Sequence, residues 1–415
     1  MKNHPLTTSG ILTLLLATTT LAGHAQQPVG YTFAGGGPDD PLWIRVAPTN
    51  LYSATTGYGY EPGADVRRES SCSTSDRPFY FSVKEPEGNY KVTVVLGGDQ
   101  PSTTTVKAEL RRLMLEKIHT APREFTTEVF IVNLRQPEIP GGNHVHLKPR
   151  ERSTEMWDWD DKLTLEFNGD HPSVSSLQIE KATVPTLFII GDSTVCDQPA
   201  APWNSWGQML PRFFKPVIAV ANHAESGETV ADSLRAQRFE KIFSLMQPGD
   251  YLFIQFGHND QKNKHPNALE QYQADLKKVV EETRAKGGTP VLVTSMEREA
   301  GVKAPTLEGY PQAMRDVAKE EHCALIDLNA MSLPFYRALG TNLSKAFVTG
   351  QGTHHNNYGS YELAKCVLAG IQQDHLPLAK DIVDGFSFDP AHPDAVADFT
   401  MPVSPVHSDL KPLGN

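Results

Sequence analysis

The chain has 415 residues with 31 Gly, 31 Pro, 39% hydrophobic and 21% charged residues, a globular composition that excludes the disordered, collagenous, disulfide-scaffold and polytopic membrane classes. A single hydrophobic core stops growing efficiently beyond roughly 250–300 residues, so this length predicts two domains. With 38 Lys+Arg against 49 Asp+Glu the net charge is −11, which opposes non-specific attraction to nucleic acid or anionic lipid; neither is expected as a partner.

Residues 1–25 carry Lys2, then the apolar run from Ile11 to Ala17, then the small-residue end Ala22-Gly23-His24-Ala25. This pattern predicts a secretory signal peptide cut near Ala25 and an exported protein, periplasmic or extracellular, without membrane insertion. No Cys follows the cleavage zone, so a lipid anchor is not indicated.

From residue 26 to 184 the apolar pattern has period two. Tyr90, Val92, Val94 and Leu96 alternate with polar residues, as do Leu163, Leu165 and Phe167, and Leu177 and Ile179. These are half-buried strands. Turn signals at Pro86-Glu87-Gly88-Asn89 and Asn168-Gly169-Asp170 suit an antiparallel β-sandwich.

After Val184-Pro185 short apolar runs alternate with helical stretches. The runs are 186–190, 217–221, 251–256, 290–294 and 324–326. Leu269, Tyr272, Leu276, Val279, Val280 and Thr283 follow 3–4 spacing, and Gly287-Gly288 closes that helix. Strand–helix alternation predicts an α/β domain over 185–385, with a parallel sheet covered on both faces. The stretch 386–415 has no periodicity and reads as a Pro-rich tail laid over the surface. Cys72, Cys196, Cys323 and Cys366 lie far apart without CxxC pairing, against zinc-ribbon and thioredoxin readings.

In a parallel sheet, ligand sites lie beyond the carboxyl ends of the strands. The first predicted strand ends there in Gly191-Asp192-Ser193-Thr194, although a serine in that position is also an ordinary helix N-cap. The second leads to Glu225-Ser226-Gly227, where glycine lets backbone approach a substrate, and the third to Gly257-His258-Asn259-Asp260, whose amide can donate to an oxyanion. Near the C-terminus come Gln351-Gly352-Thr353-His354-His355, a candidate general base ahead of a helix.

Together these four blocks resemble the SGNH branch of the GDSL hydrolases, and within it the rhamnogalacturonan acetylesterase-like enzymes of carbohydrate esterase family twelve, over roughly residues 185–375. The resemblance implies a flavodoxin-like doubly wound sheet, a serine esterase acting on acetylated polysaccharide or oligosaccharide such as pectic rhamnogalacturonan, and no metal or cofactor. It implies Ser193 as nucleophile, His354 rather than His355 as base, and an oxyanion hole from the Ser193 N–H, Gly227 N–H and Asn259 side chain. The N-terminal sandwich resembles, more weakly, the galactose-binding-like modules that accompany such esterases.

One position departs from the family pattern. An Asp usually stands three residues before the catalytic His, and here it is Gln351. A Gln carbonyl can orient an imidazole N–H but supplies no charge for the imidazolium. Three explanations stand: a Ser–His dyad with Gln351 as neutral orienter, an acid from elsewhere, or weakened catalysis. Lys262 and Arg298 are expected at the rim as binders of galacturonate carboxylates, and Lys264 as solvated charge. His258 and His355 are read as packing or hydrogen-bonding residues; Trp203 and Trp206 line the pocket or the core. The rival readings are a carbohydrate-binding protein with a decayed centre and a lipase or thioesterase on the same scaffold.

Overall fold

A computed structural model describes residue 1, residues 29–35 and residues 43–413. The segment read as a signal peptide lies outside the described residues, apart from Met1. Among the described residues no helix is long and apolar enough to cross a membrane.

The N-terminal half is built from two sheets. One runs Thr126–Leu134, Gly88–Leu96, Ser173–Lys181, Val29–Thr32, Trp43–Arg45, its last pair parallel and the rest of this path antiparallel. The other runs Tyr58–Tyr60, Phe79–Lys84, Lys162–Asp170, Ser102–Ala108, Arg112–Thr120, all antiparallel. Period-two alternation places Val92, Val94 and Leu96 in one core with Phe79, Phe81, Leu165 and Phe167. Each such side chain contributes roughly 1.5–3 kcal/mol on burial.

Asn168-Gly169-Asp170, expected as a turn, lies inside a strand; the reversal comes at His171-Pro172. A Cβ on Gly169 would sit 2.1 Å from the Thr103 carbonyl oxygen, so the glycine marks close approach of a neighbouring strand.

The C-terminal half holds a parallel sheet of β1 (Thr186–Gly191), β2 (Ala219–Asn222), β3 (Tyr251–Gln255), β4 (Thr289–Val293) and β5 (Ala324–Ile326). Its order, β2-β1-β3-β4-β5, is the flavodoxin-like doubly wound one. Both faces are covered, which is why its strands read as unbroken apolar runs. Phe188, Ile190, Leu252 and Ile254 pack on helices Arg238–Leu245, Ala268–Ala285 and Tyr310–Glu320. Leu187, Ile189 and Phe253 face Leu328–Leu339 and Asn357–Gln373.

The two halves share buried surface. Leu113, on a sandwich strand, belongs to the same apolar cluster as Leu210 and Phe213 beyond β1. The Pro-rich tail ties them again: Phe399 packs on the rings of Tyr358 and Tyr361, and Lys107 of the sandwich donates to Pro402 O and Ser404 Oγ. All four cysteines are unpaired.

Candidate active site

Gly191 closes β1 where no other residue fits, since a Cβ there would lie 2.5 Å from Gln255 O and 2.6 Å from Val195 Cγ2. The chain then turns, with Val195 N and Cys196 N both donating to Asp192 O at 2.9 and 3.0 Å, and Ser193 stands at the carboxyl edge of the sheet. Ser193 caps no helix. The next helical turn starts at Trp206 and is capped by Ser205, whose Oγ accepts from Gln208 N.

His354 arrives from the loop ahead of Asn357–Gln373, a helix whose N-terminus is fixed by Asn356 Oδ1 accepting from Gly359 N. Its Nε2 lies 2.8 Å from Ser193 Oγ, within the range for proton transfer. The ring is 1% exposed, with Trp203 packed edge-to-face at 5.4 Å. Burial pushes its pKa down to about 3; the Asp192 carboxylate opposes this, while His258, Lys262 and Lys411 add to it. The imidazole is therefore neutral at neutral pH, as a base must be. His355 instead meets Tyr336 Oη at 2.8 Å through Nε2 and packs on Phe347, a buried structural pair.

Asp192 is fully buried one residue before Ser193. Its Oδ1 accepts from Thr194 N and Oγ1, and its Oδ2 faces His258 Nδ1 at 3.3 Å. Burial pushes this carboxyl upward, but His258 and the Thr194 donors outweigh it and hold the group below the usual carboxylate range.

The two other loops end at the same edge. Gly227 has φ +79°, a left-handed conformation that glycine adopts without penalty. Neither its N–H nor that of Ser193 donates to any described residue. Asn259 Nδ2 spends one hydrogen on Glu228 O at 3.0 Å and keeps the other.

Gln351 is not brought to the imidazole. Its side chain makes no hydrogen bond among the described residues and lines an outer pocket with Glu299, Phe347 and Asn356. The turn Val348–Gln351, closed by Gln351 N donating to Val348 O with Gly350 at φ +74°, precedes it. The expected rim cations are also differently used. Lys262 Nζ donates to Asn259 Oδ1 at 2.9 Å. The Arg298 guanidinium is spent on Thr353 Oγ1, Thr306 O and His258 O, bracing the residue before His354 rather than facing a free carboxylate. Trp206 is a core residue bonded to Gln255 Oε1, and Lys264 pairs with Glu308 on the surface.

Sequence reasoning missed the sandwich's share in this edge. Lys148, after the strand Asn143–His144, donates to Ser226 O at 2.6 Å and pairs with Glu228 at 2.5 Å. Arg112 and Arg135 bracket Asp197, in the loop that carries Ser193, and Gln198 Nε2 donates to Ser193 O at 2.7 Å. The Lys148, Arg112 and Arg135 pairs join residues some 60–90 positions apart, with no periodic signal to link them.

Residues 189–360 match the model of the GDSL-like Lipase/Acylhydrolase family. Rhamnogalacturonan acetylesterase RhgT of Bacillus subtilis (strain 168) is 38% identical over 217 residues, 48% of this chain and 94% of that protein. The probable rhamnogalacturonan acetylesterase YesY of the same organism is 32% identical over 210 residues, 48% of this chain and 97% of that one. The crystal structure of Bacillus subtilis YxiM is similar over 85% of this chain and 99% of its own, with 23% identity and a TM-score of 0.47.

Proposed function

The chain belongs to the GDSL-like lipase/acylhydrolase family and is a carboxylic ester hydrolase, and from that premise we propose that it removes acetyl groups from polysaccharide, pectic rhamnogalacturonan foremost. Ser193 Oγ attacks the acetyl carbonyl while His354 Nε2 takes its proton. Negative charge develops on the former carbonyl oxygen, where the N–H groups of Ser193 and Gly227 and the Asn259 amide receive it. As the intermediate collapses, the bond from the acetyl carbon to the sugar oxygen breaks, and the protonated His354 gives its proton to that oxygen, which leaves as a hydroxyl. Water, activated by the same ring, attacks the acetyl-serine and releases acetate.

The observation that carries this reading is the 2.8 Å approach of His354 to Ser193 at the sheet's carboxyl edge, across 161 positions of sequence. Without an acid at position 351, the imidazolium formed in the transition state is favoured by the buried Asp192 carboxylate, the charge that raises the affinity of this ring for a proton.

Acetate release from a panel of acetylated polysaccharides tests the proposal. Acetylated rhamnogalacturonan is expected to be the best substrate, and Ser193→Ala to lower turnover by at least about 10³-fold. A wild type no faster than Ser193→Ala on every polymer overturns it and favours a sugar binder with a decayed centre. A preference for long acyl chains over acetyl turns the reading toward a lipase.

A further inference from the structure

Each proposed oxyanion donor is one end of an amide whose other end is an oxygen, and what touches that oxygen sets how acidic the N–H is. The Ser193 N–H shares its peptide with Asp192 O, which accepts from Val195 N and Cys196 N. The Gly227 N–H shares its peptide with Ser226 O, and there the partner is an ammonium, Lys148 Nζ at 2.6 Å. The Asn259 Nδ2–H shares its amide with Oδ1, again met by an ammonium, Lys262 Nζ at 2.9 Å. Two of the three donors thus carry a lysine on the opposite end of their conjugated unit.

We propose that Lys148 and Lys262 are positioning residues that polarise the oxyanion hole, each drawing electron density from an amide so that its N–H binds the developing charge more strongly. The inference rests on the serine-esterase reading above. It makes the N-terminal sandwich a working part of the active site, because Lys148 comes from that half of the chain.

The placement of Lys148 is rigid. Its own backbone N–H donates to Glu151 Oε2, and Glu151 is held by both terminal nitrogens of the fully buried Arg238. Glu228, at 2.5 Å, and Glu225, at 3.9 Å, face the ammonium and fix its position. A hydrogen bond from a charged donor is roughly twice as strong as a neutral one, and the side chain is only 26% exposed, so water screens it weakly. The polarisation costs no motion during turnover.

The test uses the full-length protein and p-nitrophenyl acetate, which makes no demand on polysaccharide recognition. Lys148→Met and Lys262→Met should each lower kcat about tenfold with KM within twofold, a fraction of the ~10²–10³ lost when a whole donor is removed. The inhibition constant of phenylboronic acid, whose serine adduct carries an oxyanion, should rise by a similar factor. Lys148→Arg should recover most of the loss. Unchanged kcat and inhibition constants, with only a lower melting temperature, would make Lys148 a structural tie and overturn the inference. If Lys148→Met does not fold, Lys262→Met and Lys148→Arg decide the same question. A wild type inactive on every acetyl ester overturns the esterase reading itself, and this inference with it.

Discussion

A histidine as deeply buried as His354 must stay neutral to serve as base, and burial holds its pKa near 3, far below the ordinary value of about 6.5. The sign follows directly: a lowered pKa moves the loss of the neutral form to more acid solution. We expect kcat/KM for p-nitrophenyl acetate to persist below pH 5, where an unperturbed histidine would have lost most of its basic form. A limb with its midpoint near 6.5 would contradict this. Because the Gln351 side chain lines an outer pocket away from the imidazole, Gln351→Asp should leave turnover and the acid limb unchanged; a clear rise in either, measured on the same ester, would mean that the 348–351 turn moves to bring the carboxylate to the ring. At this scale the sequence was most informative about Ser193, His354 and Asn259, whose backbone settings follow from short local motifs. It was less informative about Gln351, Lys262 and Arg298, because no short motif fixes where a long side chain turns: Lys262 folds back on Asn259, and Arg298 reaches Thr353 and His258, 55 and 40 positions away.

The loop after β2 decides how the proposed Gly227 donor is presented, and its conformation hangs on that one residue. Gly227→Ala places a Cβ at φ +79°, which strains the turn and shifts the N–H. A fall in kcat of about 10²-fold with little change in KM is expected, measured by steady-state kinetics on the same ester. Elements with strong periodicity were legible: the alternating 90–96 segment became a sandwich strand, and the 3–4 spacing from Leu269 became the helix Ala268–Ala285. Boundaries resting on turn residues were less so. Asn168-Gly169-Asp170 carries every local mark of a reversal, yet the glycine serves backbone crowding between paired strands, information held by Thr103 on another strand.

At the level of the whole molecule, the division into two halves could be read from the change of period near residue 184, but not the way they are joined. Arg112 and Arg135 meet Asp158 and Asp197 in a site sealed from solvent, and Asp197 belongs to the loop that carries Ser193. Deleting one member of such a network leaves its partner charged and unpaired. Arg112→Met should cost about 3–5 kcal/mol in thermal or denaturant unfolding. Pairing it with Asp197→Asn should restore part of that. The tail has a practical side as well. It runs along Ala201 as a parallel bridge, gives Ser408 O to Trp203 Nε1, and brings Lys411 near enough to act on His354. A long polymer approaching Ser193 must therefore share that edge with the stretch 407–411, which is where engineering of the tail would widen access.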